Sequence, residues 1–212
     1  MGIFVRWSTR IKPLLTDANK AERTAFCEFD SLWDVVHLDE KWFNADKDRR
    51  KVYLVPGETP PRRTWKSKRF IPKVMFLAAV IRPRFDHDRG VNVNATVYRD
   101  YVINKVIPAI KAFFPSANKR VVLQHDNATP HASITDAELQ AVSTDGWMFV
   151  LRRQPPNSPD LNALDLGFFG KVQSLQYKSM SRTVDDVIRT TLAAFEELSY
   201  EKLESVFLTF QW

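Results

Sequence analysis

The 212-residue chain contains a single cysteine, Cys27, so it has no internal disulfide to form. Its fold needs no oxidising compartment, and a reducing interior suits it. Long hydrophobic runs are also missing. The longest, Val74 to Ile81, has eight residues, against about 20 for a membrane-crossing helix. It reads as a buried strand. The N-terminus (MGIFVRWSTR) is too short and too interrupted for a secretory signal. No internal repeat stands out, and no linker is long enough to divide the chain. What is present is a globular composition, 44% hydrophobic and 26% charged, which excludes collagen or a long disordered tail. The length corresponds to one domain large enough for a real core.

Charge is unevenly spread. Lys and Arg number 31 against 25 Asp and Glu, a net of +6. Residues 47–84 hold twelve basic residues and two acidic ones, a balance of +10, so the remainder sums to −4. A basic segment beside an acidic remainder suits a polyanion partner. A solvated loop and a guarded strand edge explain the same run equally well.

The pattern predicts a helix over 12–33 and a short strand at Val35–Leu38. Strands at Val52–Val55 and Lys73–Ile81 follow, with a residual one at Val91–Val93. A helix over 97–114 carries Pro108, which predicts a kink or break. Then come the strand Val121–Gln124, a helix over 134–143, the strand Trp147–Leu151 and a helix through Leu164–Gln176. A last helix starts at the capping signal Thr183–Asp186. The order is α/β with a mixed sheet.

Asp39 and Asp126 each end an apolar strand. A single aspartate there is an ordinary turn former. Two held close repel unless a cation neutralises them or one takes a proton. Oxygen-only ligands suit hard cations such as Mg²⁺ or Mn²⁺. Asp160 and Asp165 are the choices for a third acid. Asp160 follows Pro159 and suits a helix cap, whereas Asp165 lies on an otherwise apolar helix with Leu161, Leu164, Phe168 and Phe169. A carboxylate on an apolar stripe needs neutralising or ligating, which favours Asp165. A zinc site at His125 and His131 lacks two further ligands.

Three ordered blocks carry a resemblance: 36–43 (VHLDEKWF), 123–131 (LQHDNATPH) and 154–169 (QPPNSPDLNALDLGFF). Together they resemble the motif blocks of mariner-like transposases, most closely the plant- and oomycete-type branch with an Asp-Asp-Asp triad. Residues 65–80 and 175–178 resemble that branch as well. The resemblance implies a ribonuclease H-like mixed sheet flanked by helices and a metal-dependent DNA transposase that cleaves and transfers strands. Asp39, Asp126 and Asp165 would be the catalytic and metal-binding triad, with 165 − 126 − 1 = 38 residues between the last two. Two Mg²⁺ or Mn²⁺ ions would be the cofactors. Asn127 and His131 would shape a secondary pocket, and Glu40 would point away on the strand. DNA would be the partner, held through its phosphates by Arg62, Arg63, Lys66, Lys68, Arg69 and Lys73. Trp65 is placed to stack on an unpaired base. The resemblance further implies a nuclear location, a homodimer and no membrane.

Family members carry helix-turn-helix modules before the catalytic domain. The expected organisation is therefore a remnant linker helix over 1–33, after a missing DNA-binding domain, and a catalytic domain over 34–212. The segment 86–97 is short against the family, which leaves a truncated enzyme as the first expectation. A decayed or domesticated nucleic-acid-binding or dimerising remnant without catalysis is the second.

Overall fold

The structure is a computed structural model. It describes residues 14–27, 32–46, 55, 57–59, 64, 71–82, 91–93, 98–114, 116, 118–126 and 134–210. The expected strand at Val52–Val55 lies almost wholly outside the described residues, as do Arg62, Arg63, Trp65, Lys66, Lys68, Arg69, Asn127 and His131.

Five strands form one mixed sheet: β1 (Val35–Asn44), β2 (Lys73–Ile81), β3 (Val91–Val93), β4 (Arg120–His125) and β5 (Met148–Arg153). Their order is β3-β2-β1-β4-β5. The β1–β2 and β2–β3 pairs are antiparallel, while β1–β4 and β4–β5 are parallel. Central β1 is buried on both faces over its first five residues, which is why it reads as an unbroken apolar run. It extends to Asn44, six residues past the expected end, because β2 pairs with it along that whole length.

Helices cover both faces. Strand alternation sends Val36, Leu38, Leu77 and Leu123 into one layer, against Tyr98, Val102, Ile107 and Leu139. Phe43, Phe76, Ala78 and Val80 enter the other, against Phe168, Phe169, Val172, Val187 and Phe207. The first layer holds α2 (Tyr98–Tyr101), α3 (Ile107–Phe113) and α4 (Asp136–Val142); the second holds α5 (Phe169–Gln176), α6 (Val184–Glu196) and α7 (Tyr200–Phe210).

Four expectations need correction or refinement. The helix expected over 12–33 is shorter: α1 spans Asp17–Cys27, and Leu32–Asp34 form a separate 3-10 turn. Nothing in α1 is buried, so no packing extends it. At Pro108 the expected kink or break takes the form of a change in helix type. The proline sits in the first turn of α3, directly after a π-helical stretch, Val102–Val106. A wider turn accommodates a residue with no N–H and a bulky ring. The helix through Leu164 likewise starts as a π-helical turn, Leu164–Phe168, before α5. Finally, α7 is a separate helix that the pattern did not announce.

The expected cap at α6 is present. Thr183 accepts from the Asp186 N–H at 3.0 Å, and the Asp186 side chain accepts from the Thr183 N–H at 3.1 Å. Thr183→Ala should therefore cost about 1 kcal/mol of stability, read from the urea unfolding midpoint.

Candidate metal and nucleic-acid site

The β1–β4 register pairs Val35 with Val122, Val36 with Leu123 and His37 with Gln124, a constant offset of 87. Continued two residues, the same offset sets Asp39 beside Asp126 (39 + 87 = 126). In neighbouring parallel strands, residues in register lie about 5 Å apart with side chains on one face. Long-range pairing thus sets Asp39, which lies inside β1 and not at its end as expected, beside Asp126 just past the end of β4.

Asp165 joins them from the π-helical turn Leu164–Phe168. The Asp165 charge acts on Asp39, and Asp126 acts electrostatically on both. Asp39 is buried. Desolvation first, then the charge of Asp165, pushes its carboxyl up to about 8; the Glu40 N–H opposes the shift and Asp126 and Glu40 add to it. Asp165 is exposed on its solvent side. Its carboxyl is also raised, by desolvation first; Lys41 opposes this and Asp126 reinforces it.

Among the described residues, no three His, Cys, Asp or Glu side chains stand close enough to hold an ion as they are. The donor chemistry nevertheless fits a hard divalent cation. All three groups are carboxylates, and the upward shifts of Asp39 and Asp165 mark negative charge that a cation would neutralise.

Strand alternation turns Glu40 to the opposite face, as expected. Its charge helps push the buried Tyr98 phenol upward, after desolvation and ahead of Asp126 and Asp39. His125 also faces that layer, with its ring 6.3 Å from that of Tyr98. It points away from the carboxylates, which leaves the zinc reading without support among the described residues. Asp160, the alternative third acid, lies in the turn Pro159–Leu161 and pairs with both guanidinium nitrogens of Arg23, at 2.9 and 2.6 Å. That bidentate pair ties α1 to the segment leading to Asp165. Of the basic residues, Lys73 is described: it is exposed, with Nζ 4.4 Å from the centre of the Trp42 ring.

Two participants escaped sequence reasoning. Lys41 shares the Asp39 face of β1, and its Nζ stands 5.7 Å from the Phe169 ring centre. Asn162 is buried and donates to Asp39 Oδ2 at 3.0 Å. Its signal was an amide inside the otherwise apolar run Leu161–Leu164.

The site carries two opposed pH linkages. Burial, aided by the Arg152 charge, lowers His37 to about 3. Its contribution is complete above the unfolded value near 6.5 and is lost as pH falls toward 3. The raised Asp39 carboxyl works the other way: its contribution is complete below about 4 and is lost as pH rises through about 8. Between about pH 4 and 6.5 the slopes offset. Above 6.5 His37 no longer contributes and the raised Asp39 and Asp165 carboxyls act in one direction, so metal-free protein should lose stability by pH 8, about 2 kcal/mol of it from Asp39 at ~1.4 kcal/mol per pH unit. Urea midpoints at the two pH values check this, and Asp39→Asn should flatten the difference.

No protein-family model and no curated protein sequence matches the chain. Solved structures do. The Mos1 transposase paired-end complex with the left transposon end is 21% identical with a TM-score of 0.67, over 100% of this chain and 64% of that one. The Mos1 mariner paired-end complex with Mn gives the same values. The catalytic domain of Mos1 mariner transposase is 18% identical with a TM-score of 0.60, over 95% of this chain and 93% of that one. The chain therefore spans 64% of the length of the transposases in the DNA complexes and nearly all of the isolated catalytic domain. At these identities the likeness establishes the fold: the ribonuclease H-like mixed sheet flanked by helices.

Proposed function

We propose that the chain is a mariner-type transposase catalytic domain that cleaves and joins DNA strands with divalent cations. The observation that carries this reading is a set of three carboxyls, from distant segments, that act on one another electrostatically. The β1–β4 register, continued two residues, sets Asp39 beside Asp126, and the charges of Asp126 and Asp165 both act on Asp39. Charge repulsion among them is a standing cost that a purely structural site would shed. The likeness to transposases solved with Mn or Mg supports the same reading.

Asp39, Asp126 and Asp165 would hold two Mg²⁺ or Mn²⁺ ions. When bound, such ions polarise a scissile phosphate and make water or a 3′-hydroxyl a competent nucleophile at neutral pH. The chain's own part is placement. The strands fix two carboxylates, the π-helical turn delivers the third, and Lys41 holds positive charge beside Asp165. Lys73, with Arg62, Arg63, Lys66, Lys68 and Arg69, would grip DNA phosphates without reading sequence, so binding should weaken as salt rises. Asn127 and His131 would line the pocket beside Asp126. DNA is the expected partner, in the nucleus, and a second copy of the chain is a further one.

Nicking of supercoiled plasmid by the purified chain tests the reading. Weak nicking in Mn²⁺ that shows no sequence preference and stops on chelation is the expected result. Unchanged nicking in the presence of a chelator would refute it.

A further inference from the structure

We infer that Asn162 is the positioning residue of this site: its side-chain amide sets the orientation of Asp39 and the starting point of the turn that carries Asp165. The inference rests on the metal-dependent reading above and deepens it, naming a residue outside the carboxylate triad on which cation binding depends.

The argument begins with the segment 154–165, which must connect the end of β5 to the π-helical turn at Leu164. Two side-chain stitches hold it to the sheet, beside the backbone bond that the Gln154 N–H donates to the His125 carbonyl at 2.8 Å. Gln124, buried on β4 two residues before Asp126, donates through Nε2 to the Leu161 carbonyl at 2.5 Å. Asn162 makes the second stitch, and 1% of its surface remains exposed. Its Nδ2 donates to Asp39 Oδ2 at 3.0 Å, and its Oδ1 accepts from the Leu164 N–H at 3.0 Å. One planar amide thus spans the first acid and the N-terminus of the turn bearing the third. Because the amide is rigid, moving either contact moves the other.

Asp39 is held at both oxygens. Oδ1 accepts from the Glu40 N–H at 2.7 Å, and Oδ2 accepts from Asn162. Two donors on opposite oxygens fix the plane of the carboxyl group. Each carboxylate oxygen offers about two lone-pair sites, so both donors leave capacity for a cation.

The chemistry at position 162 is also selective. Lys there would compete with a cation, and an acid would add to the repulsion already present among Asp39, Asp126 and Asp165. Leu would leave Oδ2 buried without its donor. Only a neutral side chain carrying both a donor and an acceptor serves Asp39 and Leu164 together. Partners that orient a ligating carboxylate change metal affinity by about 10–100-fold when removed.

Asn162→Ser separates positioning from folding. A serine hydroxyl can accept from the N–H two residues on, as Asn162 does for Leu164, but it is too short to reach Asp39. Titration calorimetry with Mn²⁺ should show binding weakened 10–100-fold, and plasmid nicking should lose kcat while KM for DNA stays unchanged. Asn162→Gln, which keeps both groups, should restore part of the affinity. Wild-type Mn²⁺ affinity in a folded Asn162→Ser protein would overturn the inference and leave the metal-dependent reading standing. The contact itself is read without metal: the Asn162 side-chain amide protons should be protected in NMR spectra and should shift in Asp39→Ala. No shift would overturn the inference as well. Failure of the unsubstituted protein to bind Mn²⁺ would instead overturn the proposed function, with the NMR result standing on its own.

Discussion

Asp126→Asn should abolish the thermal stabilisation given by Mn²⁺ and lower Mn²⁺-dependent nicking by about a hundredfold or more. The first part follows from mass action. A cation at a hundredfold excess over its dissociation constant adds about 2.7 kcal/mol to the folded state. For a domain of this size, 1 kcal/mol moves the midpoint by roughly 2–4 °C, so the unsubstituted chain should gain roughly 5–10 °C. Asn is nearly isosteric with Asp but is a poorer ligand and carries no charge. It also relieves repulsion with Asp39 and Asp165, so the metal-free variant should be at least as stable as the parent. The second part follows because removing a ligand should cost at least as much as removing an outer partner, for which losses reach about 100-fold. Differential scanning calorimetry with and without Mn²⁺, beside a plasmid assay, measures both. A variant that keeps the full thermal shift would exclude Asp126 as a ligand.

Phe207→Ala should be among the most destabilising single changes in the chain, at about 3–5 kcal/mol. Phe207 belongs to α7 and has 0% of its surface exposed. Its ring meets that of His37 edge to face at 5.6 Å, on the same face of β1 that carries Asp39. Neighbouring Val206 packs so closely on the Leu164–Phe168 turn that a Cβ on Gly167 would stand 3.1 Å from it. Glu204 binds the mostly buried Arg82 guanidinium at 2.9 Å. The helix is therefore part of the second core layer and cannot move as a separate appendage. A loss below about 1 kcal/mol in urea unfolding would contradict that packing. Because the cavity would open beside His37, the variant should also lose part of the acid sensitivity that burial of that ring creates.

The candidate acids were legible in the sequence as carboxylates placed in apolar segments. In the structure Asp39 is buried within β1, not at its end, and Asp165 is exposed on its turn, while Asp126 and Asp165 both act on Asp39 through their charge. Their lateral register was not legible, because it depends on pairing between segments 87 residues apart. Asn162 was overlooked because nothing local distinguishes an amide bonded to a distant carboxylate from one bonded to its own turn. The π-helical form of Val102–Val106 and Leu164–Phe168 was also invisible. Hydrophobic spacing cannot separate a π turn from an α turn over five residues. The helix α7 was missed because its stripe follows directly on that of α6, with only the break at 197–199 between them.

The β1–β4 pairing has a consequence for synthesis. On the ribosome, β1 and β2 emerge early and can pair as neighbours, whereas β4 appears much later. Asp165 leaves 126 residues after Asp39 (165 − 39). At about 5–20 residues per second, the nascent chain carries its first acid for about 6–25 s before the third is made. During that interval the carboxylate centre does not exist. The proposed cation site would therefore form late and all at once, only when the strands and the turn that carries Asp165 are all in place.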